Sequence, residues 1–238
     1  MRVVIRGAGD LASGVALRLW RAGMDVVLLD VEKPTAIRRT VAFSEAIVHG
    51  KQTVEDVTAR LATAETAEET LAAGMIPVLV DPEGRSIPTL RPDALVDAIL
   101  AKRNLGTKIT DAPVVIGVGP GFTAGVDCHA VVETMRGHTL GRVIREGSAI
   151  PNTGIPGLIG GFAGERVLRA PAAGLFHPLR DIGDAVTEKL LHIVITSRFE
   201  SIFEVIRHGM SQAEAHEYIH LLSHYHRRGF FAVFGGEQ

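Results

Sequence analysis

A single cysteine, Cys128, stands in the whole chain, so no internal disulfide can form and the composition fits a reducing compartment. Aromatic residues are scarce, 5% against 46% hydrophobic residues in all. The interior must therefore be built from Val, Ile, Leu and Ala, which suits the strands and helices of an α/β core. The formal charge is −2 and no block of like charge exceeds a few residues, which excludes the electrostatic footprint of a nucleic-acid-binding or anionic-membrane-binding protein. The apolar stretch Val3–Ile5 is too short for a signal segment or a membrane span. These absences point to a cytoplasmic protein with a small-molecule or protein partner, no nucleic acid and no membrane. A homo-oligomer is compatible with them.

What is present is a run of alternating strand and helix signals. VVIRG reads as a β-branched strand, GAGDLAS as a turn, GVALRLWRAG as a helix ended by Gly23, and VVLLD as a second strand. Both strands are apolar on both faces, as parallel strands are. Two further strands are expected at IPVLVD (76–81) and VVIGVG (114–119). The helix-like segments before them are ETAEETLAAG (65–74) and RPDALVDAILAKRN (91–104), the latter with Pro92 and Asp93 at its start and an apolar face at Leu95, Ile99 and Leu100. Strands alternating with helices imply right-handed crossovers and a parallel sheet.

After about residue 120 glycine becomes frequent, and HAVVETM, GRVIREG and ERVLRAP read as short strands between turns. From Glu188 helical spacing takes over, with Ser211 and Glu214 as a capping box. The expected fold is α/β. A Rossmann-like parallel sheet forms a nucleotide-binding domain over residues 1–135, followed by a small β-rich segment (136–187) and a helical C-terminal tail (188–238).

The loop after the first strand, Gly7-Ala8-Gly9-Asp10-Leu11-Ala12, is the G-x-G-x-x-A form of the dinucleotide fingerprint. Gly7 permits the tight turn, Gly9 lets a phosphate approach the backbone, and Ala12 lets helix and strand pack closely. The pattern is weak alone. It gains weight from the strand before it, the helix after it, and Asp30 at the end of the second strand, where an acid holds a ribose hydroxyl. Asp10 is unexpected, because a carboxylate in that loop opposes a pyrophosphate and implies a metal or a shifted phosphate. Arg38 and Arg39 follow closely and can clamp a phosphate, although two solvated arginines explain them equally well. Lys102, Arg103 and Asn104 have a comparable plain explanation as a charged helix end.

A second glycine-rich loop, Gly117-Val118-Gly119-Pro120-Gly121-Phe122-Thr123, follows the strand at 114–119, where α/β sheets bind ligands. Gly119, Gly121 and Thr123 are its candidate ligand contacts. If 127–133 is a strand, Asp127, His129 and Glu133 share one face and can converge on a proton-transfer or metal site; a polar outer strand face is the plainer alternative. Cys128 would point inward as a small apolar residue. Near the C-terminus, His216-Glu217-Tyr218-Ile219-His220 spells H-E-x-x-H, with His226 at the spacing of a third ligand. Ser223 replaces the glycine that such a site needs in order to turn, and the tail is rich in histidine. No catalytic metal is therefore expected at His216, His220 and His226.

Several long stretches resemble the YqeB family of accessory proteins of the selenium-dependent molybdenum hydroxylase system: VVIRGAGDLASGVALRLWRAG, KPTAIRRTVAFSEAI, IPVLVDP, VDAILAKRNLGT, DAPVVIGVGPGFTAGVDCHAVVET, RGHTLGRVI and PNTGIPG. The resemblance implies a Rossmann-type maturation factor partnered by a molybdenum hydroxylase, holding a nucleotide or a molybdopterin-dinucleotide-type ligand. Both glycine-rich loops would then serve one site at the sheet's carboxyl edge. The segment LRAPAAGLFHPLRDIGDAV resembles the first half of a small biotinyl-like hairpin fold, but the sequence after it departs from that pattern. The enzyme alternative is an NAD(P)-dependent oxidoreductase on the same loop, without a Tyr-x-x-x-Lys pair.

Overall fold

In the computed structural model, which describes residues 1–155, the strand β1 (Arg2–Arg6) lies at the centre of a nine-stranded sheet. The apolar residues of β1 alternate between two clusters. Val3 and Ile5 enter the one that contains Leu28, Phe43 and Val78, and Val4 enters the one that contains Leu29, Leu95 and Val115. A strand that is apolar on both faces can be satisfied only between two layers. Helix α1 (Asp10–Arg21) covers the first face with Ala12, Ala16 and Leu17 and ends before Gly23, whose φ of 82° closes the C-terminus. The turn is shorter than GAGDLAS suggests, because the helix already begins at Asp10.

The chain continues through β2 (Asp25–Asp30), a single 3-10 turn (Arg39–Val41), α2 (Glu45–His49), β3 (Lys51–Val54), β4 (Val57–Ala62), α3 (Ala67–Ala72), β5 (Ile76–Val80) and α4 (Ile87–Leu90). It then forms β6 (Ala94–Asp97), β7 (Val114–Val118), β8 (Thr123–Ala124), β9 (Ala130–Val132), β10 (Val143–Ile144) and β11 (Gly147–Ser148). The large sheet runs β10-β9-β7-β6-β1-β2-β5-β4-β3, and β8 pairs with β11 in a small second sheet. In chain order, six of the parallel strands, β1, β2, β5, β6, β7 and β9, lie 3-2-1-4-5-6, the Rossmann arrangement, with β4 added parallel beyond β5 and β3 antiparallel at that edge. The fold is thus α/β with a mostly parallel, Rossmann-like sheet, and its topological switch point lies at β1 and β6.

Two expectations are corrected. RPDALVDAILAKRN is not a helix: Ala94–Asp97 is buried throughout and pairs with β1 on one side and β7 on the other. Asp93 fixes that register, accepting the Arg2 N–H on its carboxylate at 2.7 Å and donating its own N–H to the Arg2 carbonyl. Leu100 and Lys102, at φ 60° and 62°, are incompatible with a continuing right-handed helix. Asp127, His129 and Glu133 also do not lie on one strand, since β9 covers only Ala130–Val132. The hairpin β3–β4, turning at Glu55 with φ 54°, is an element the sequence reading does not anticipate.

The described residues form one compact unit, Met1–Ile155, in which β10 extends the large sheet through β9. The helical tail and its H-E-x-x-H, with His216, His220 and His226, lie outside the described residues. Among the described residues no helix is long and apolar enough to cross a membrane.

Candidate functional site

The Gly7–Gly9 loop is fastened from four sides. Gly7 N–H donates to the Leu29 carbonyl at 2.7 Å, and Ala8 N–H donates to Asp30 Oδ2 at 2.8 Å. The Ala8 carbonyl accepts from Ser44 N–H at 2.9 Å and from the Ser13 hydroxyl at 3.1 Å. Ser13 Oγ in turn accepts the Phe43 N–H at 2.8 Å. Gly7 has φ 97°, and a Cβ there would sit 2.9 Å from the Ala98 carbonyl oxygen, so glycine is required by the neighbouring β6 loop.

Gly9 differs. Its φ of −66° and ψ of −178° suit any residue, and a Cβ there would meet nothing within 4 Å. Among the described residues nothing demands glycine at this position, and it is the N-cap of α1 without a side-chain cap. The first amides of a helix have no intrahelical acceptor. Among the described residues, those of Asp10, Leu11 and Ala12 receive none from elsewhere. A 12-residue helix therefore presents free N–H groups and its positive dipole end beneath an open glycine.

The charge of Asp10 is answered by Arg38, whose guanidinium lies 2.6 Å from the Asp10 carboxylate. The pair is close to neutral, which eases the apparent conflict of an acid in a fingerprint loop: a phosphate there would not face a bare carboxylate. Arg39, beginning the 3-10 turn, makes no ion pair among the described residues. Asp30 accepts Val31 N–H at 2.7 Å as well as Ala8 N–H. Burial pushes its carboxyl up from the usual carboxylate range despite those two bonds. Each carboxylate oxygen keeps a lone pair for a further donor. Beside it lie Val31 and Val80, both exposed aliphatics, the latter paired with Asp30 across β2 and β5.

The second glycine-rich loop has internal reasons for its glycines. A Cβ on Gly117 would meet the Phe122 ring at 2.5 Å, one on Gly119 would meet Thr134 Oγ1 at 2.8 Å, and one on Gly121 would lie 2.6 Å from the Arg103 backbone. Thr123 donates its N–H to Asp127 Oδ2 at 2.8 Å and shares its hydroxyl with Ser148. Asp127, His129 and Glu133 are not brought together. Asp127 also accepts from the Asn104 side chain at 3.2 Å, and His129 Nδ1 accepts the Val115 N–H at 2.9 Å. Glu133 accepts the N–H groups of Met135 and Ile150. Burial pushes the Glu133 carboxyl up, but its backbone donors prevail and hold it below the usual range. Among the described residues no three His, Cys, Asp or Glu are grouped as metal ligands. Cys128 is buried, and burial pushes its thiol up, so it is not an activated nucleophile.

The two glycine-rich loops leave β1 and β7, which flank β6, and each abuts the segment that follows β6, Gly7 at Ala98 and Ile99, and Gly121 at Arg103. Beneath it lies a buried network that the sequence reading missed. Arg6 Nη1 donates to Thr107 Oγ1 at 2.5 Å, and Thr107 Oγ1 donates to Asp97 Oδ2 at 2.5 Å. Arg6 and Asp97 themselves pair at 3.5 Å. The available signal was a charged residue ending each of two apolar runs, VVIR and ALVD.

A curated protein of Escherichia coli (strain K12), named Uncharacterized protein YqeB, is 59% identical to this chain over 187 residues, 78% of this chain and 35% of that protein. The chain thus covers only about a third of that relative's length. No family model matches the chain. No solved structure matches it either.

Proposed function

Because the chain belongs, over those 187 shared residues, to the YqeB family, we propose that it binds a nucleotide or nucleotide-bearing cofactor at Gly7–Ala12 and acts as an accessory factor in the maturation of a molybdenum hydroxylase of the selenium-dependent kind. One observation supports the binding: Gly9, at an uncapped helix N-terminus, is a glycine that its backbone and its packing among the described residues do not need. A ligand that approaches the backbone does need it. The amides of Asp10, Leu11 and Ala12 would receive a phosphate, Asp30 a ribose hydroxyl, and Val31 with Val80 one face of a base. Arg38 would hold the Asp10 charge away from the phosphate or transfer to the phosphate itself. A ligand of molybdopterin-dinucleotide type carries the same phosphate and ribose groups and fits these donors and acceptors equally.

Calorimetry against NAD, NADP, FAD, CTP and a molybdopterin dinucleotide tests the binding. Gly9→Val is expected to abolish it while changing stability by less than about 1 kcal/mol, since the side chain enters open space on an ordinary backbone. No binding to any of them by the intact protein would remove the reading. The maturation role has its own expected outcome. A strain lacking the gene makes its molybdenum hydroxylase in normal amount but inactive and short of cofactor, and only a copy with intact Gly9 restores it. Full activity and cofactor content in the deletion strain would sink that role. It would favour the second reading, an NAD(P)-dependent oxidoreductase, which the 3-2-1-4-5-6 order with Asp30 at the end of its second strand also supports.

A further inference from the structure

From Arg136 to Arg145 the chain holds Arg136, His138, Arg142 and Arg145 and no acid. This stretch enters β10 and leaves it for β11, so it passes from the end of the large sheet to the small one. A cleft of about 480 Å³ opens at that passage, lined by Arg142, Val143, Ile144, Arg145, Glu146 and Ser148. The volume falls within the range of small-molecule sites, about 300–1,000 Å³. Its walls are held by the fold. Val143 and Ile144 pair with Val132 and Val131, and Gly147 and Ser148 pair with Ala124 and Thr123. Glu133, 2% exposed, ties the two walls together. Its N–H donates to the Arg142 carbonyl at 2.9 Å, and its carboxylate accepts the N–H of Ile150, just past β11, at 2.8 Å. The Ser148 hydroxyl is held by Thr123 Oγ1 at 3.0 Å. Neither Arg142 nor Arg145 makes an ion pair among the described residues.

We infer that this cleft binds a phosphomonoester of sugar-phosphate type, with its phosphate on Arg142 and Arg145. It shares no residue with the loop at Gly7–Ala12, and it stands whether or not a nucleotide binds there. Two guanidinium groups against the one carboxylate of Glu146 leave the lining with a net positive charge. Their planar N–H forks match the oxygens of a phosphate in pairs. Inorganic phosphate would leave Val143, Ile144 and Glu146 without a partner. An ester lays its organic body against the two aliphatic side chains, of which Val143 is 55% exposed, and so removes apolar surface from water. A hydroxyl on that body donates to the Glu146 carboxylate, which has only acceptors to offer. A sugar phosphate carries both parts, whereas a neutral sugar has nothing for the arginines.

The test is calorimetry on the full chain at fixed ionic strength with ribose 5-phosphate, inorganic phosphate and ribose. It compares the native protein, Arg142→Gln/Arg145→Gln, Arg142→Lys/Arg145→Lys and Gly9→Val. Both arginines are exposed, and a thermal melt checks that folding is unchanged. The native protein is expected to bind ribose 5-phosphate roughly tenfold tighter than inorganic phosphate, and ribose not measurably. The glutamine pair weakens both phosphates roughly tenfold or more. The lysine pair keeps the charge but loses the fork, and recovers part of that loss. Gly9→Val binds ribose 5-phosphate as the native protein does. Undiminished binding in the glutamine pair overturns the site. Ribose 5-phosphate binding that Gly9→Val abolishes overturns it too, and assigns that phosphate to the loop at α1. Equal affinity for inorganic phosphate and ribose 5-phosphate overturns the ester as the ligand, and failure of both to bind the native protein overturns the whole inference.

Discussion

Arg6→Met is expected to destabilise the Met1–Ile155 unit by about 3–5 kcal/mol, the cost of leaving a buried charge without its partner. Arg6 is 3% exposed and Asp97 1%. The guanidinium reaches the Asp97 carboxylate at 3.5 Å, the Thr107 hydroxyl at 2.5 Å and the carbonyls of Pro82 and Leu105 at 3.0 and 3.2 Å. Methionine fills the aliphatic part of that space, but the acceptors lose their donor where water does not reach. Urea denaturation measures the loss. Amide hydrogen exchange should locate it in the loops after β5 and β6, because the same guanidinium ties both. The double variant Arg6→Met/Asp97→Leu should recover much of it, since removing both charges also removes the desolvation they cost. A single-variant loss below about 1 kcal/mol would mean the pair is solvated in solution.

The second large effect separates two glycines of one motif. Gly7→Ala is expected to cost about 2–5 kcal/mol, from the φ of 97° and from a Cβ placed 2.9 Å from the Ala98 carbonyl oxygen, a backbone atom that cannot rotate away. The loop must shift, and Ala8 N–H then loses its alignment with Asp30 Oδ2. Nucleotide affinity should fall with stability. Gly9→Ala should instead leave the denaturation midpoint nearly unchanged and weaken the ligand alone. The comparison needs both variants measured by denaturation and by calorimetry. Equal destabilisation by the two would show that Gly9 is a structural glycine after all, and the argument for an anion at that position would go with it.

Local pattern carried much of the architecture. VVIRG, VVLLD, IPVLVD and VVIGVG are strands because β-branched runs without a polar face can be satisfied only between two layers. Gly23 ends α1 because glycine holds the left-handed backbone there at least cost. RPDALVDAILAKRN failed the same treatment: Leu95 and Ile99 have helical spacing, yet the gain from completing the sheet between β1 and β7 outweighs the helix propensity of a short segment. Asp127, His129 and Glu133 share a sequence parity that pointed to one strand face. The fold instead uses each of them as an acceptor for a backbone N–H, which no spacing rule announces.

By itself the sequence determined that this is a parallel-sheet α/β chain with a glycine loop entering its first helix, because strand and helix periodicity and the positions of glycine are properties of neighbouring residues. Only the tertiary structure decided which glycines of the two loops the packing of the described residues requires. Gly7, Gly117, Gly119 and Gly121 are each explained by an atom from elsewhere in the chain, and Gly9 by none. It also decided the partners of Asp10, Arg6 and Asp97 and the placing of the segment after β6 against Gly7 and Gly121. Those are contacts between residues tens of positions apart, fixed by the strand order β7-β6-β1-β2 and not by any local pattern.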